Sequence, residues 1–168
     1  MIVRAADRAH DGAAMLAIVN DAILNTTAWY EYAPWDDDRL SSWFDDKLAG
    51  GWPLLVAEVD GHTLGFACFG SFRHRPAYAR TVEHSVYVAA AARGRGVGHR
   101  LLDALIAEAR ARALHVMIGG VDAANEASLA FHRAAGFVEA GRLAEVGWKF
   151  GRWLDLIFMQ KLLAGETR

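Results

Sequence analysis

An apolar strand, a glycine-rich turn and an amphipathic helix follow one another in the middle of the chain. The strand ends in Val86-Tyr87-Val88, and the turn at residues 93–98 reads Arg-Gly-Arg-Gly-Val-Gly. Glycines let the backbone fold tightly with its N–H groups pointing inward, and the helix adds unpaired N–H donors and the positive end of its dipole. The turn therefore predicts an anion site, for which a diphosphate is the natural occupant.

Two other nucleotide-binding turns also use glycines, so glycine spacing alone is weak evidence. A P-loop would continue with lysine and then serine or threonine, whereas His99 and Arg100 follow Gly98 here. A dinucleotide-binding fold would place its glycines after the first strand, whereas this turn lies in mid-chain. These details argue against both alternatives.

Length and composition predict a single domain over residues 1–168, because 54% hydrophobic residues are enough for a sizeable core. The net charge is -2, with 18 basic and 20 acidic residues interspersed, so we expect no binding to nucleic acid or to an acidic membrane. Charges and turn residues interrupt every apolar stretch before the roughly 18 residues of a membrane span, and the first residues do not resemble a signal peptide. We expect a soluble cytoplasmic protein.

Cys68 is the one cysteine of the chain, which excludes an internal disulfide. Its apolar neighbours predict a buried strand position, and a catalytic thiol is the less favoured alternative. The histidines other than His132 are scattered without the spacing of metal ligands. They are His10, His62, His74, His84, His99 and His115. We therefore expect no metal site.

Hydrophobic periodicity predicts seven strands and four helices in the order βααβββαβαββ. The predicted strands are Ile2–Ala6, Leu54–Val59, Thr63–Phe72, Thr81–Val88, His115–Val121, Phe137–Val146 and Trp153–Leu163. The predicted helices are one capped by Asp11, one over Asp37–Leu48, one that opens at the glycine turn, and one over Glu126–Ala135. This order predicts an α+β fold with a mixed central sheet.

Three of these helices have apolar residues at helical spacing, which predicts one buried face on each. The predicted buried residues are Met15, Ile18, Val19, Ala22 and Ile23 on the first, Leu40, Trp43, Phe44 and Leu48 on the second, and Val97, Leu101, Leu102, Leu105, Ile106 and Ala109 on the third.

Two motifs resemble the cofactor segments of the GNAT N-acetyltransferases. Arg93-x-x-Gly96-x-Gly98 resembles their acetyl-coenzyme A loop, and Asn125-Glu126-Ala127-Ser128, with the later His132 and Gly136-Phe137, resembles their second cofactor segment. The resemblance implies a GNAT fold, mixed and mostly antiparallel, that binds acetyl-CoA. The implied cofactor-binding residues are Val86, Val88, Arg93, Gly94, Arg95, Gly96, Val97, Gly98, Asn125 and Ser128.

Three further segments resemble one branch of that superfamily, the phosphinothricin and methionine sulfoximine acetyltransferases. They are residues 72–78, Thr81–Val88 and 149–153. The resemblance covers about residues 2–163 and implies a homodimer.

Asn125 and Ser128, which the resemblance assigns to cofactor binding, also suit a plain capping role at the start of their helix. The capping role and the cofactor-binding role are compatible.

Glu83 is the predicted proton acceptor for an amine. Strand alternation places it on one face with Thr81, Ser85 and Tyr87, away from the face of Val82, Val86 and Val88. Amine acetylation from a thioester needs a neutral amine, and a carboxylate takes up the proton directly or through water. The alternative is an ordinary ion pair with Arg73, Arg75 or Arg80.

In much of the family a tyrosine at this position protonates the departing thiolate. Here the position is His132, and the phosphinothricin branch likewise has a histidine. A histidine donates or accepts a proton near neutral pH, so the roles of acid, second base and cofactor contact stay open. The alternative is a helix histidine bonded to the backbone.

Arg73 and Arg75 alternate with His74, which in an extended segment puts both guanidinium groups on one side for a carboxylate. The resemblance adds Tyr78 and, as a weaker candidate, Tyr30 to the substrate-binding residues. The alternative is a basic surface loop.

Together these residues predict an acetyl-CoA-dependent N-acetyltransferase. The expected substrate is a small amino acid analogue with a free α-amine and a carboxylate, such as phosphinothricin, methionine sulfoximine or methionine sulfone, acetylated by direct transfer. The alternatives are an acetyltransferase of another amine or of a protein N-terminus, and a non-catalytic acyl-CoA-binding module.

Overall fold

The computed structural model describes residues 1–163 and contains, within them, seven strands and four α-helices in the predicted order, with two short 3₁₀ helices at Pro76–Tyr78 and Ala90–Ala92. The strands are β1 Ile2–Ala5, β2 Leu54–Val59, β3 His62–Ser71, β4 Thr81–Val88, β5 Val116–Asp122, β6 Val138–Lys149 and β7 Arg152–Leu162. The helices are α1 Arg8–Asn25, α2 Asp37–Ala49, α3 Val97–Ala111 and α4 Glu126–Ala134.

The strands form one mixed sheet in the order β1-β2-β3-β4-β5-β7-β6. β4 and β5 are parallel, with Thr81 opposite Val116, and α3 lies between them in the sequence, as a parallel pair requires. The pairs β1–β2, β2–β3, β5–β7 and β6–β7 are antiparallel. The predicted α+β fold with a mixed, mostly antiparallel sheet is confirmed.

The chain divides into two compact units, of which the first comprises Met1–Gly70 and Ser85–Leu105. Its core includes the predicted face of α1 and, from α2, Leu40 and Phe44. Leu48 was predicted on the same face of α2, but it is 60% exposed because it lies in the last turn, past the part of the helix that packs. Cys68 is buried on β3, as predicted.

The prediction that Asp11 caps α1 is wrong, because the helix begins about one turn earlier. The cap is Asp7, whose carboxylate accepts hydrogen bonds from the backbone N–H groups of Ala9 and His10. Asp11 is fully buried and accepts two hydrogen bonds from the Arg4 guanidinium and one from the Thr63 hydroxyl. Its role is to tie α1 to the sheet.

The second unit comprises Ser71–His84 and the chain from Ile106 onward. Its fully buried side chains include Val82, Met117, Ile157 and Met159, each from the interior of a strand. On α3, the residues predicted to face inward are buried in both units, with Val97, Leu101, Leu102 and Leu105 in the first and Ile106 and Ala109 in the second. No helix within residues 1–163 is long and apolar enough to cross a membrane.

Candidate active site

The glycine turn between β4 and α3 has the backbone that the sequence predicts. Gly94 and Gly96 adopt φ angles of +74° and +79°, in the left-handed region that favours glycine. A Cβ at either residue would meet nothing within 4 Å, so backbone conformation and not crowding requires glycine. α3 begins at Val97, and the N–H groups of a first helical turn have no carbonyl partner within the helix.

Arg93 is bound within the first unit. Its guanidinium lies 2.6 Å from the Asp21 carboxylate on α1, and its Nε donates a hydrogen bond to the Val88 carbonyl. Asp21 was not singled out in the sequence, and 72 residues of chain separate the pair. Arg93 therefore holds the turn against α1, whereas the Arg95 side chain is exposed.

Tyr30 lies in the loop between α1 and α2 and is 43% exposed. Glu31 next to it accepts hydrogen bonds from the indole N–H groups of Trp29 and Trp35. The Trp29 ring also packs 4.8 Å from that of Tyr87 on β4. The tryptophans of this loop therefore belong to the packing of the first unit, and they fix the backbone on which Tyr30 stands.

Glu83 projects from β4 in the second unit, on the opposite face from the buried Val82 and His84. The residue as a whole is exposed, yet partial burial of its carboxyl group raises its pKa, and the positive charge of Arg73 offsets this only in part. Arg73 therefore does not hold Glu83 as an ordinary low-pKa ion-pair partner. A carboxylate of raised pKa is a better proton acceptor than an ordinary one.

His132 lies on α4, which Asn125 caps by accepting a hydrogen bond from the Ser128 backbone N–H. It is 6% exposed, and its Nδ1 lies 2.7 Å from the Ser128 carbonyl oxygen. A carbonyl only accepts, so Nδ1 holds a proton and Nε2 of the neutral ring is an acceptor. Burial lowers the pKa of His132, and the bond to Ser128 opposes this in part. The ring is therefore neutral at pH 7.

His84 is a buried neighbour of His132, although in the sequence it is only one of several scattered histidines. Its ring is buried 5.1 Å from that of His132. Burial, with the neighbouring His132 as a smaller cause, lowers the pKa of His84 to about 3. The available signal was its place directly after Glu83 on a half-buried strand, but nothing local showed that it faces His132.

Gly119 and Gly120 of β5 were also missed. A Cβ on Gly119 would lie 2.8 Å from Nε2 of both His84 and His132, and a Cβ on Gly120 would lie 3.4 Å from Oε1 of Glu83. The two adjacent glycines thus leave room for imidazoles on one face of the sheet and for a carboxylate on the other. Glycine inside a strand often marks such close approach, and this was the available signal.

The prediction that Arg73 and Arg75 lie in an extended segment is wrong. β3 ends at Ser71 and the chain bends through residues 72–75, so strand alternation does not place Arg73 and Arg75 on one side. The Arg73 guanidinium packs over the Phe72 ring at 5.0 Å, and the Tyr78 ring meets the same ring edge-on at 5.9 Å. Phe72 organises the segment, while Arg73, Arg75 and Tyr78 are exposed.

Within residues 1–163 no group of three or more His, Cys, Asp or Glu side chains is arranged to hold a metal ion. Burial raises the pKa of the Cys68 thiol, and the Lys47 ammonium opposes this in part. A thiol of raised pKa is a poor nucleophile at neutral pH, which agrees with the predicted structural role of Cys68.

The chain is similar to several known proteins. It is 48% identical over 147 residues, or 87% of this chain and 86% of the other, to the L-methionine sulfoximine/L-methionine sulfone acetyltransferase of Pseudomonas aeruginosa. The crystal structure of the ribosomal-protein-alanine N-acetyltransferase from Brucella melitensis superposes with a TM-score of 0.94 at 48% identity, over 96% of this chain and 99% of that one.

A third similar structure is the GNAT phosphinothricin acetyltransferase from Sinorhizobium meliloti in complex with acetyl-CoA. It has a TM-score of 0.91 at 35% identity and covers 96% of this chain and 87% of that one. Residues 20–137, more than half of the chain, match the acetyltransferase (GNAT) family. These matches confirm the predicted enzyme class and the predicted acetyl donor, acetyl-CoA. The chain belongs to the GNAT family of acetyltransferases.

Proposed function

We propose that this enzyme acetylates the α-amine of a small amino acid analogue of the phosphinothricin, methionine sulfoximine or methionine sulfone type. The observation that carries the proposal is the Glu83 carboxyl group, whose pKa is raised and beside which Gly120 leaves room. The Pseudomonas relative, with 48% identity over most of both chains, supports the substrate class.

Glu83 is the proposed proton acceptor. An amine with a pKa of about 9 to 10 is mostly protonated at pH 7, and only its neutral form attacks a carbonyl. Glu83 takes the amine proton directly or through one water. The neutral amine then attacks the thioester carbonyl directly, so that no acyl-enzyme forms. The C–S bond breaks, and the second amine proton ends on the departing coenzyme A sulfur as its thiol.

His132 is the second proposed proton-transfer group. Its Nδ1 is committed to the Ser128 carbonyl, which leaves Nε2 as the atom that exchanges protons. Since the ring is neutral at pH 7, it is a proton acceptor in the resting enzyme. His132 lies on the other face of the sheet from Glu83, so it is proposed as a separate proton-transfer group. A second base, or a relay that donates a proton it has just received, fits a neutral ring better than a resting acid.

The turn at residues 93–98 is the proposed site of the acetyl-CoA diphosphate. Its left-handed glycines expose backbone with open space around it, which fits a diphosphate. Asn125 uses its carbonyl oxygen for the helix cap, so its side-chain NH₂ remains for the cofactor. Bound acetyl-CoA supplies the thioester. The other proposed contacts are Val86, Val88, Arg95, Val97, Gly98 and Ser128, with Arg93 acting indirectly by holding the turn.

Arg73 and Arg75 are the residues proposed to bind the substrate carboxylate, and Tyr78 and Tyr30 remain the other proposed substrate-binding residues. Guanidinium groups form strong, directed hydrogen bonds with carboxylates. The bent backbone at 72–75 means that Phe72, not strand alternation, sets where Arg73 points.

A protein N-terminus is the second candidate substrate, because the similar Brucella protein is described as a ribosomal-protein-alanine N-acetyltransferase. The two substrates differ at one point, since a protein N-terminus has no free carboxylate next to its amine. A non-catalytic acyl-CoA-binding module is disfavoured by Glu83 and His132.

A thiol-release assay with acetyl-CoA tests the proposal. The amine panel contains methionine sulfone, methionine sulfoximine, phosphinothricin, simple amines and a peptide that begins with alanine. We expect release with the amino acid analogues. Release with the peptide alone would replace the proposed substrate with a protein N-terminus.

We further propose a cytoplasmic single domain over residues 1–168 that forms a homodimer through the hairpin of β6 and β7. β6 is an edge strand, and the hairpin exposes Trp148, Phe150 and Trp153, which are 47%, 57% and 57% accessible. Exposed apolar patches of this kind mark interaction surfaces. Trp153→Glu should give monomers in sedimentation, and a wild-type monomer would contradict the dimer.

A further inference from the structure

The His84 imidazole is a buried polar group that the proposed reaction does not use. It is 5% exposed, and neither ring nitrogen has a hydrogen-bond partner among residues 1–163. Buried polar atoms are nearly always paired with protein or with ordered water. A neutral imidazole takes a hydrogen-bond acceptor at its N–H and a donor at its other nitrogen, and a water molecule can serve at either one.

Gly119 lies where the two imidazole rings come close to each other. The point that a Cβ of Gly119 would occupy is 2.8 Å from Nε2 of His84 and 2.8 Å from Nε2 of His132. The two nitrogens are therefore separated by no more than twice that distance. One water oxygen forms hydrogen bonds of about 2.9 Å to each of two nitrogens, so a single water, beside the Cβ point, spans this separation.

The polarity of His132 fixes the direction of its bond to the water. Nδ1 donates to the Ser128 carbonyl, so Nε2 of the neutral ring accepts a hydrogen from the water. Phe137 packs 5.3 Å from the His84 ring and 5.4 Å from the His132 ring, and Phe131 lies 5.1 Å from His132. This aromatic surrounding favours two neutral rings joined by a neutral ligand.

We propose that His84 is a positioning residue, which, through one bound water next to Gly119, holds the His132 ring with Nδ1 protonated and Nε2 ready to accept a proton. The consequence for turnover rests on the proposed proton-transfer role of His132. The water site and the tautomer do not, since they are properties of the resting enzyme.

Three variants of the full-length enzyme test the proposal. His84→Phe keeps a ring but removes both nitrogens, His84→Gln keeps a hydrogen-bonding group, and His62→Phe is the control because His62 is exposed on β3. With ¹⁵N-labelled histidine, we expect the Nε2 resonance of His132 to move in His84→Phe, to recover in His84→Gln and to stay in the control. We expect kcat to fall on the order of 10-fold in His84→Phe, with the KM for acetyl-CoA unchanged.

A high-resolution crystal structure of the wild type gives the second readout. We expect a water within about 3 Å of both Nε2 atoms. Gly119→Ala should displace it and move the same resonance, whereas Gly141→Ala should not, because a Cβ at Gly141 meets nothing within 4 Å. If Gly119→Ala does not fold, the wild-type structure and the His84 variants still decide the matter.

Two results would overturn the proposal. One is the lack of any water between the two rings. The other is an unmoved His132 resonance in folded His84→Phe, even if kcat falls, since that pattern shows a merely structural role. Both readouts are taken without substrate, so a failure of the proposed acetylation leaves them intact and is recognised separately by the thiol-release assay.

Discussion

Oε1 of Glu83 lies 3.4 Å from the point where a side chain on Gly120 would begin. The carboxyl group thus rests against bare backbone of the neighbouring strand, and this partial burial raises its pKa. Gly120 on β5 leaves the space, and Glu83 on β4 supplies the carboxylate. The proposed chemistry depends on this pairing more than on any other contact.

Glu83→Gln should lower kcat by on the order of 10²-fold, because it removes the proton acceptor with little change of shape. Acetyl-CoA binding, measured by calorimetry, should stay nearly intact. The defect should shrink at high pH, where more of the amine is already neutral. A variant that keeps wild-type kcat from about pH 6 to 9 would show that Glu83 is not the base.

Arg73→Gln should move the acid limb of the kcat profile to higher pH. A base must be deprotonated to act, so activity falls as the pH drops through its pKa. Arg73 lowers the pKa of Glu83, and without that charge the pKa rises further. Saturating substrate separates this effect from substrate binding. The matched control is Arg80→Gln, at another exposed arginine of the same segment, which should leave the limb in place. Equal shifts of the acid limb in both variants would show that the effect on Glu83 is not specific to Arg73.

Gly96→Val should weaken acetyl-CoA binding while the protein stays folded. At a φ of +79° a β-branched residue is strained, by about 1 to 2 kcal/mol, so the turn changes shape. Calorimetry with acetyl-CoA is the measurement. Gly141→Val, at another open position where φ is not in the left-handed region, is the control. Undiminished affinity in folded Gly96→Val would place the diphosphate elsewhere.

Arg75→Ala should mainly raise the KM for amino acid analogues, because the loss of one charge-assisted hydrogen bond costs about 1.5 to 3 kcal/mol. Removing the substrate carboxylate should damage the wild type far more than the variant, which has already lost the partner. Comparing kcat/KM for methionine sulfone and its carboxylate-free amine in both proteins measures this. If kcat/KM falls equally in the two proteins when the carboxylate is removed, Arg75 does not bind that carboxylate.

Much of the fold is predictable from the chain because its periodicity is local. β2 and β4 begin and end at the predicted residues, and the other predicted element boundaries differ by a few residues at most. The error at Asp11 has a physical cause, since Asp7 and Asp11 both suit a helix start. Only the folded contacts of Asp11 with Arg4 and with the distant Thr63 show which one is buried.

The candidate site is less predictable because its decisive contacts are non-local. Motifs in the sequence identify Glu83 and His132, but no motif predicts that the His84 ring on β4 packs next to the His132 ring. The ion pair of Arg93 with Asp21 joins a turn to a helix far away in sequence. At the bend of residues 72–75 the Phe72 ring packs against Tyr78 and Phe158, and no alternation pattern contains these contacts.

The most direct test of the proposed function is the ratio of kcat/KM for L-methionine sulfone to that for a peptide beginning with alanine, with acetyl-CoA as donor and products identified by mass. We predict that the amino acid analogue is preferred by on the order of 10²-fold or more, because the peptide has no free carboxylate next to its amine for the proposed contact with Arg73 and Arg75. A ratio at or below one would contradict the account and make a protein N-terminus the substrate.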